Sequence, residues 1–103
     1  MSKTVIYSNQ APEPIGPYSQ AIQAGNLLFV SGQIAIDRNS GNLVSGSLAD
    51  ETHQVMKNLK AVLNAANMDF TNVVKCSIFL KDMNSFGEVN ASEGEYFNAN
   101  PTA

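Results

Sequence analysis

The chain has 103 residues and a mass of 11.0 kDa. That suits one core and is too little for two, since single domains commonly hold about 100–150 residues. Six Lys and Arg against nine Asp and Glu leave a net charge of −3, so the basic footprint that drives most nucleic-acid binding is missing. Charged residues make up 15% and apolar ones 44%, a balance that suits a surface partly covered by other subunits. A single cysteine, Cys76, excludes an intramolecular disulfide and fits a reducing cytoplasm. The opening MSKTVIYSNQ lacks the long apolar run of a signal peptide, and nowhere do about 18 uninterrupted apolar residues occur, so a soluble, cytoplasmic chain is expected.

Lys3 to Ser8 reads as a short strand. Ala11 to Pro17 (APEPIGP) holds three of the four prolines and reads as a stiff connector. Tyr18 to Ala24 and Leu27 to Ile36 form the two arms of a hairpin around Gly25-Asn26, a loop whose leading glycine suits a primed turn. A two-residue turn pairs Ala24 with Leu27, Ile22 with Phe29, Gln20 with Ser31 and Tyr18 with Gln33 on one face. Leu28, Val30, Ile34 and Ile36 occupy the other, so helices are expected on one side and another surface, such as a second subunit, on the opposite side. Asp37 to Gly46 is a polar, glycine-punctuated excursion.

Ser47 followed by Asp50 resembles a capping box with Asp in place of the usual Glu. Leu48, Thr52, Val55, Leu59, Val62, Leu63 and Ala66 then recur at helical spacing, with Asn67 as a left-handed stop. Val73 to Lys81 reads as a strand with Val74, Cys76, Ile78 and Leu80 on one face. Asp82 or Asn84 then caps a second helix whose inward stripe is Phe86, Val89, Asn90, Glu93 and Phe97, ended by Asn100-Pro101. The order β, β-hairpin, α, β, α predicts a single α+β domain over residues 1–103, one mixed sheet with two helices on one face. Only Pro101, Thr102 and Ala103 follow the last helix, so the sheet lacks a closing strand and the pattern reads as truncated at the C-terminus.

One His and one Cys disfavour a zinc or iron centre, which gathers several such ligands. His53 reads as an ordinary helix-surface or interface residue. Cys76 lacks a second histidine to activate it, and its register among Val74, Ile78 and Leu80 suits a small packing thiol in a core or pocket wall. Ser31 in VSGQI lacks the glycine pattern of a nucleophile elbow, although its hydroxyl and the Gly32 amide can bind a ligand oxygen. Neither a P-loop nor G-x-G-x-x-G is present, so no nucleotide cofactor is indicated. Tyr18 and Asn90 are polar groups that periodicity places on inward stripes, where each must find a hydrogen-bond partner.

Taken together, GPYSQAI (Gly16 to Ile22), NLLFVSGQI (Asn26 to Ile34), ETHQVMKNLKAVLNAA, VVKCSIFLKDMNSF (Val73 to Phe86) and VNASEGEYF (Val89 to Phe97) closely resemble the reactive intermediate deaminase family of the RidA/YjgF type. The resemblance covers nearly the whole chain. It implies a chorismate-mutase-like fold, a homotrimer with ligand clefts between subunits, and hydrolysis of 2-iminobutanoate and 2-iminopropanoate to 2-oxo acids and ammonia without a cofactor. It places Tyr18, Ser31, Gly32, Asn90 and Cys76 along the substrate cleft and assigns none of them as the catalytic group. It also implies a carboxylate-binding arginine just after the proline-containing segment and a glutamate in the last strand, neither of which lies within these 103 residues. Arg38, the only arginine present, does not match that motif. Two alternatives stand beside a deaminase: an endoribonuclease inhibiting translation, disfavoured by the acidic balance, and a small-molecule or protein-binding module without turnover.

Overall fold

A computed structural model of the chain describes residues 2–97 and 102–103. Three antiparallel strands, β1 (Lys3–Ile6), β2 (Ala21–Ala24) and β3 (Leu27–Val30), form a sheet in that spatial order. Two helices follow, α1 (Leu48–Ala65) and α2 (Phe86–Gly94). The class is therefore α+β, as the element order implies.

The hairpin register is the one that a two-residue turn dictates, with Ala24 opposite Leu27 and Ile22 opposite Phe29. Gly25 supplies the positive φ of 62° that the first turn position requires. The strands are shorter than the apolar runs. One further rung, the Ser31 N–H to the Gln20 carbonyl at 2.9 Å, extends the ladder. Beyond it Pro17 has no N–H to donate and the Tyr18 N–H turns back to the Gly16 carbonyl at 2.9 Å, so the expected Tyr18–Gln33 pair does not form. The second arm likewise ends early; Ile36 forms an isolated bridge with Leu43.

Side chains of alternate strand positions divide the sheet into two unlike faces. Ile6 and Ala21 pack with Ala11, Val62 and Ala66 into a core, flanked by Leu28, Val30, Ala61 and Met68. Val5 and Phe29, both in register with Ile22, stay about 60% exposed on the opposite face, as does Leu27.

Local chemistry sets both ends of α1. The Ser47 side chain accepts the Asp50 N–H at 3.0 Å, and Asp50 and Glu51 place negative charge at the positive end of the helix dipole. At the other end Asn67 adopts φ 59°, and the Asn67 and Met68 N–H groups return to the Asn64 and Leu63 carbonyls, a complete Schellman motif. Thr52, Met56, Asn58, Val62 and Leu63 are the buried residues of α1, so Met56 and Asn58 replace Val55 and Leu59 in the expected stripe. The shift follows from α1 having more than one neighbour: it meets the sheet-side core and also packs along α2.

Two expectations in the C-terminal third are corrected. Residues 73–81 form no strand among the described residues; Val74 and Phe79 are exposed, and the Ala103 N–H donates to the Val74 carbonyl at 2.9 Å. An alternating sequence chooses which side chains share a face, but a strand also needs a neighbour for its donors and acceptors. In α2 the buried residues are Val89 and Ser92, continued by Phe97, while Asn90 and Phe86 face outward. Asp82 caps as expected, but through a 3₁₀ turn (Met83–Ser85) that runs directly into α2. The expected stop at Asn100-Pro101 lies outside the described residues.

Candidate functional site

Tyr18 stands where the proline-rich connector joins β2. Its ring folds back over Gly16, whose φ of 140° is one that side-chain-bearing residues rarely adopt, and its hydroxyl accepts the Ile15 N–H at 3.4 Å. About half of the residue is exposed, which corrects the inward position expected of it. It lines a groove of about 330 Å³ together with Tyr7, Glu13, Pro14, Ser19 and Gln20.

Ser31 lies on the same side of the hairpin root. Its hydroxyl donates to the Ser19 carbonyl at 2.6 Å, which commits its proton and leaves oxygen lone pairs for an incoming donor. Gly32 follows, exposed, with open space where a Cβ would sit, so a ligand can approach its backbone closely. The Ser31 bond thus ties Ser31 and Gly32 to Ser19, the neighbour of Tyr18.

Cys76 lies on the 73–80 segment and Asn90 on α2. Burial first, then the charge of Glu93, pushes the Cys76 thiol up from its ordinary range, so it stays protonated at neutral pH. Burial also raises the Glu93 carboxyl. Asn90 sits one turn before Glu93 on α2 with its side chain on the exposed surface, not on the inward stripe. Among the described residues no side-chain hydrogen bond joins Cys76 or Asn90 to Tyr18 or Ser31.

His53 is an interface histidine, one of the two ordinary roles expected for it. Its Nδ1 lies 2.6 Å from the Tyr96 hydroxyl and its Nε2 3.6 Å from a Glu95 oxygen, tying α1 to the end of α2. Among the described residues no group of three or more His, Cys, Asp or Glu gathers.

Three polar groups that matter were missed in the sequence. Gln20, almost fully buried, accepts the Ser8 N–H at 2.6 Å and donates to the Ser8, Ala11 and Pro12 carbonyls. Asn58, equally buried, donates to the Ile34 and Ile36 carbonyls, both at 2.9 Å, and accepts from Gln54. Arg38 binds the Ala11 carbonyl, the Tyr7 hydroxyl at 3.0 Å and Glu13 at 2.9 Å. A signal existed for Asn58, one turn before Val62 on the buried face; Arg38 left none, because its partners lie on the far side of the hairpin.

The family described as Endoribonuclease L-PSP matches residues 8–103. A RutC family protein of Pyrococcus horikoshii is 52% identical over 92% of this chain and 75% of its own length. The human 2-iminobutanoate/2-iminopropanoate deaminase is 47% identical over 95% of this chain and 72% of its own length. A crystal structure of a Yersinia pestis protein of unknown function from the conserved Rid family superposes with a TM-score of 0.93 at 40% identity, covering 97% of this chain and 79% of that one. The chain thus spans about three quarters of the length of these relatives. Agreement in sequence and in backbone over nearly all of it means that this chain belongs to the endoribonuclease L-PSP family, which includes the RidA/YjgF proteins.

Proposed function

We propose that this protein hydrolyses reactive 2-imino acids, such as 2-iminobutanoate and 2-iminopropanoate, to the 2-oxo acid and ammonia. The observation that carries this reading is the 47% identity, over 95% of the chain, to a human protein named for that activity. Water adds to the imine carbon and the carbon–nitrogen bond breaks, releasing ammonia, with no net oxidation. The imine carbon is already electrophilic, so orientation and proton handling suffice and no cofactor enters.

In this reading residues 1–103 act as one domain, and Tyr18, Ser31, Gly32, Asn90 and Cys76 line the substrate cleft. Tyr18 and Asn90 shape it and offer hydrogen bonds, the Gly32 amide and the Ser31 hydroxyl receive a substrate oxygen, and Cys76, held as a thiol, packs rather than attacks. Asn90 and Cys76 meet Tyr18, Ser31 and Gly32 across a subunit boundary in a homotrimer, which also gives the apolar outer sheet face of Val5, Leu27 and Phe29 something to cover it. Arg38 is engaged by Glu13 and is not the carboxylate anchor, and a cytoplasmic setting fits the single free cysteine.

The test is semicarbazide trapping of freshly generated 2-iminobutanoate with the complete gene product. Acceleration of its decay supports the reading, and its absence removes it. Tyr18→Phe and Asn90→Ala should each lower turnover about tenfold or more, while His53→Ala leaves it nearly unchanged. The family description favours one second reading, cleavage of RNA, which the net charge of −3 opposes and which an RNA substrate assayed in parallel would reveal.

A further inference from the structure

Tyr18, half exposed, follows the connector between β1 and β2 and bonds back to it: its hydroxyl accepts the Ile15 N–H, its N–H donates to the Gly16 carbonyl and its ring lies over Gly16. Its placement therefore depends on where residues 11–17 lie. Two side chains grip that connector at its start. Gln20 Nε2 and Arg38 Nη1 both donate to the carbonyl of Ala11, a residue with no exposed surface. Arg38 then spreads its planar fork, with Nη2 reaching the Tyr7 hydroxyl at 3.0 Å and Glu13 at 2.9 Å. Tyr7 in turn donates to Glu13 and stacks against the guanidinium, whose carbon lies 6.0 Å from the ring centroid. One cation thus joins the end of β1, the connector and the polar excursion that follows the hairpin.

We infer that Arg38 is a positioning residue that sets the place of Tyr18 by clamping the connector through Ala11, Glu13 and Tyr7. The inference rests on the proposed function in that Tyr18 is taken to line the substrate cleft. Glu13 is well exposed, so its pair with the partly buried Arg38 adds little to stability, and Gln20 still bonds the Ala11 carbonyl without Arg38, so the clamp acts on geometry rather than on folding. Lysine cannot replace it fully, because its donors all spring from one nitrogen, whereas Arg38 reaches Ala11 from Nη1 and Tyr7 and Glu13 from Nη2.

The test uses the complete gene product. Arg38→Ala should leave the melting temperature within a few degrees of the parent, lower kcat/KM for 2-iminobutanoate about tenfold, and speed amide exchange at Ile15 and Tyr18. Arg38→Lys should fall between. In a Tyr18→Phe background Arg38→Ala should add almost no further loss, since both act through one side chain. An equal loss in both backgrounds, or unchanged exchange at Ile15 and Tyr18, overturns the inference. If the parent shows no turnover, the functional reading fails while amide exchange still decides the clamp; if Arg38→Ala does not fold, Arg38→Lys and Glu13→Gln carry the same two readouts.

Discussion

Residues 21–30 and residues 73–80 are similarly rich in apolar and β-branched side chains, but only the first stretch forms a ladder. The hairpin closes because its partner is two residues away and Gly25 provides the turn. The segment 73–80 has no strand partner a turn away and forms no strand among the described residues, with Val74 and Phe79 outside. The comparison separates two things that one alternating pattern conflates: which side chains share a face, a local matter, and whether the backbone between them is paired, which is not.

Changes in the well-paired half should produce the largest effects. Asn58→Ala leaves the Ile34 and Ile36 carbonyls without their donor and opens space beneath α1, so urea unfolding should show a loss of about 2–4 kcal/mol. A loss below about 1 kcal/mol would mean that solvent replaces Asn58 there. Ser47→Ala, which removes the α1 cap, should cost about 1 kcal/mol by the same measurement.

The unpaired half should respond less. Within residues 1–103, Phe79→Ser should shift stability by no more than about 0.5 kcal/mol, and amides 74–80 should exchange much faster than those of Ile22 and Phe29. Strong protection across 74–80 would show that this segment gains a ladder partner from elsewhere, which is what a closed sheet in a longer product or a trimer requires. The smallest effect concerns Cys76. Because burial and Glu93 hold its thiol above the ordinary range, alkylation at pH 8 should lag behind that of a free small thiol. Glu93→Gln removes a negative charge that opposes the thiolate, so the alkylation profile should move toward lower pH; no movement would place Glu93 out of reach of the sulfur.

Glu93 also links pH to stability. Burial raises its carboxyl in the folded state above its unfolded value, so the folded state binds the proton more tightly. The associated stability is present below the unfolded value and is lost as pH rises through the folded one. Glu93→Gln should therefore flatten this part of the pH–stability curve above the ordinary carboxylate range.

The sequence by itself determined the hairpin register, the Ser47 cap, the Asn67 stop and the family resemblance. The structural features depend on neighbours within a few positions, where turn and cap chemistry leave few choices. Tertiary structure decided what hinges on distant partners. Gln20 reaches back to Ser8 across 12 positions, Asn58 to Ile36 across 22 and Arg38 to Ala11 across 27, and no periodicity encodes such bonds. It likewise turned Tyr18 and Asn90 outward and left 73–80 without a strand among the described residues, because burial and pairing belong to the arrangement of elements and not to any one of them.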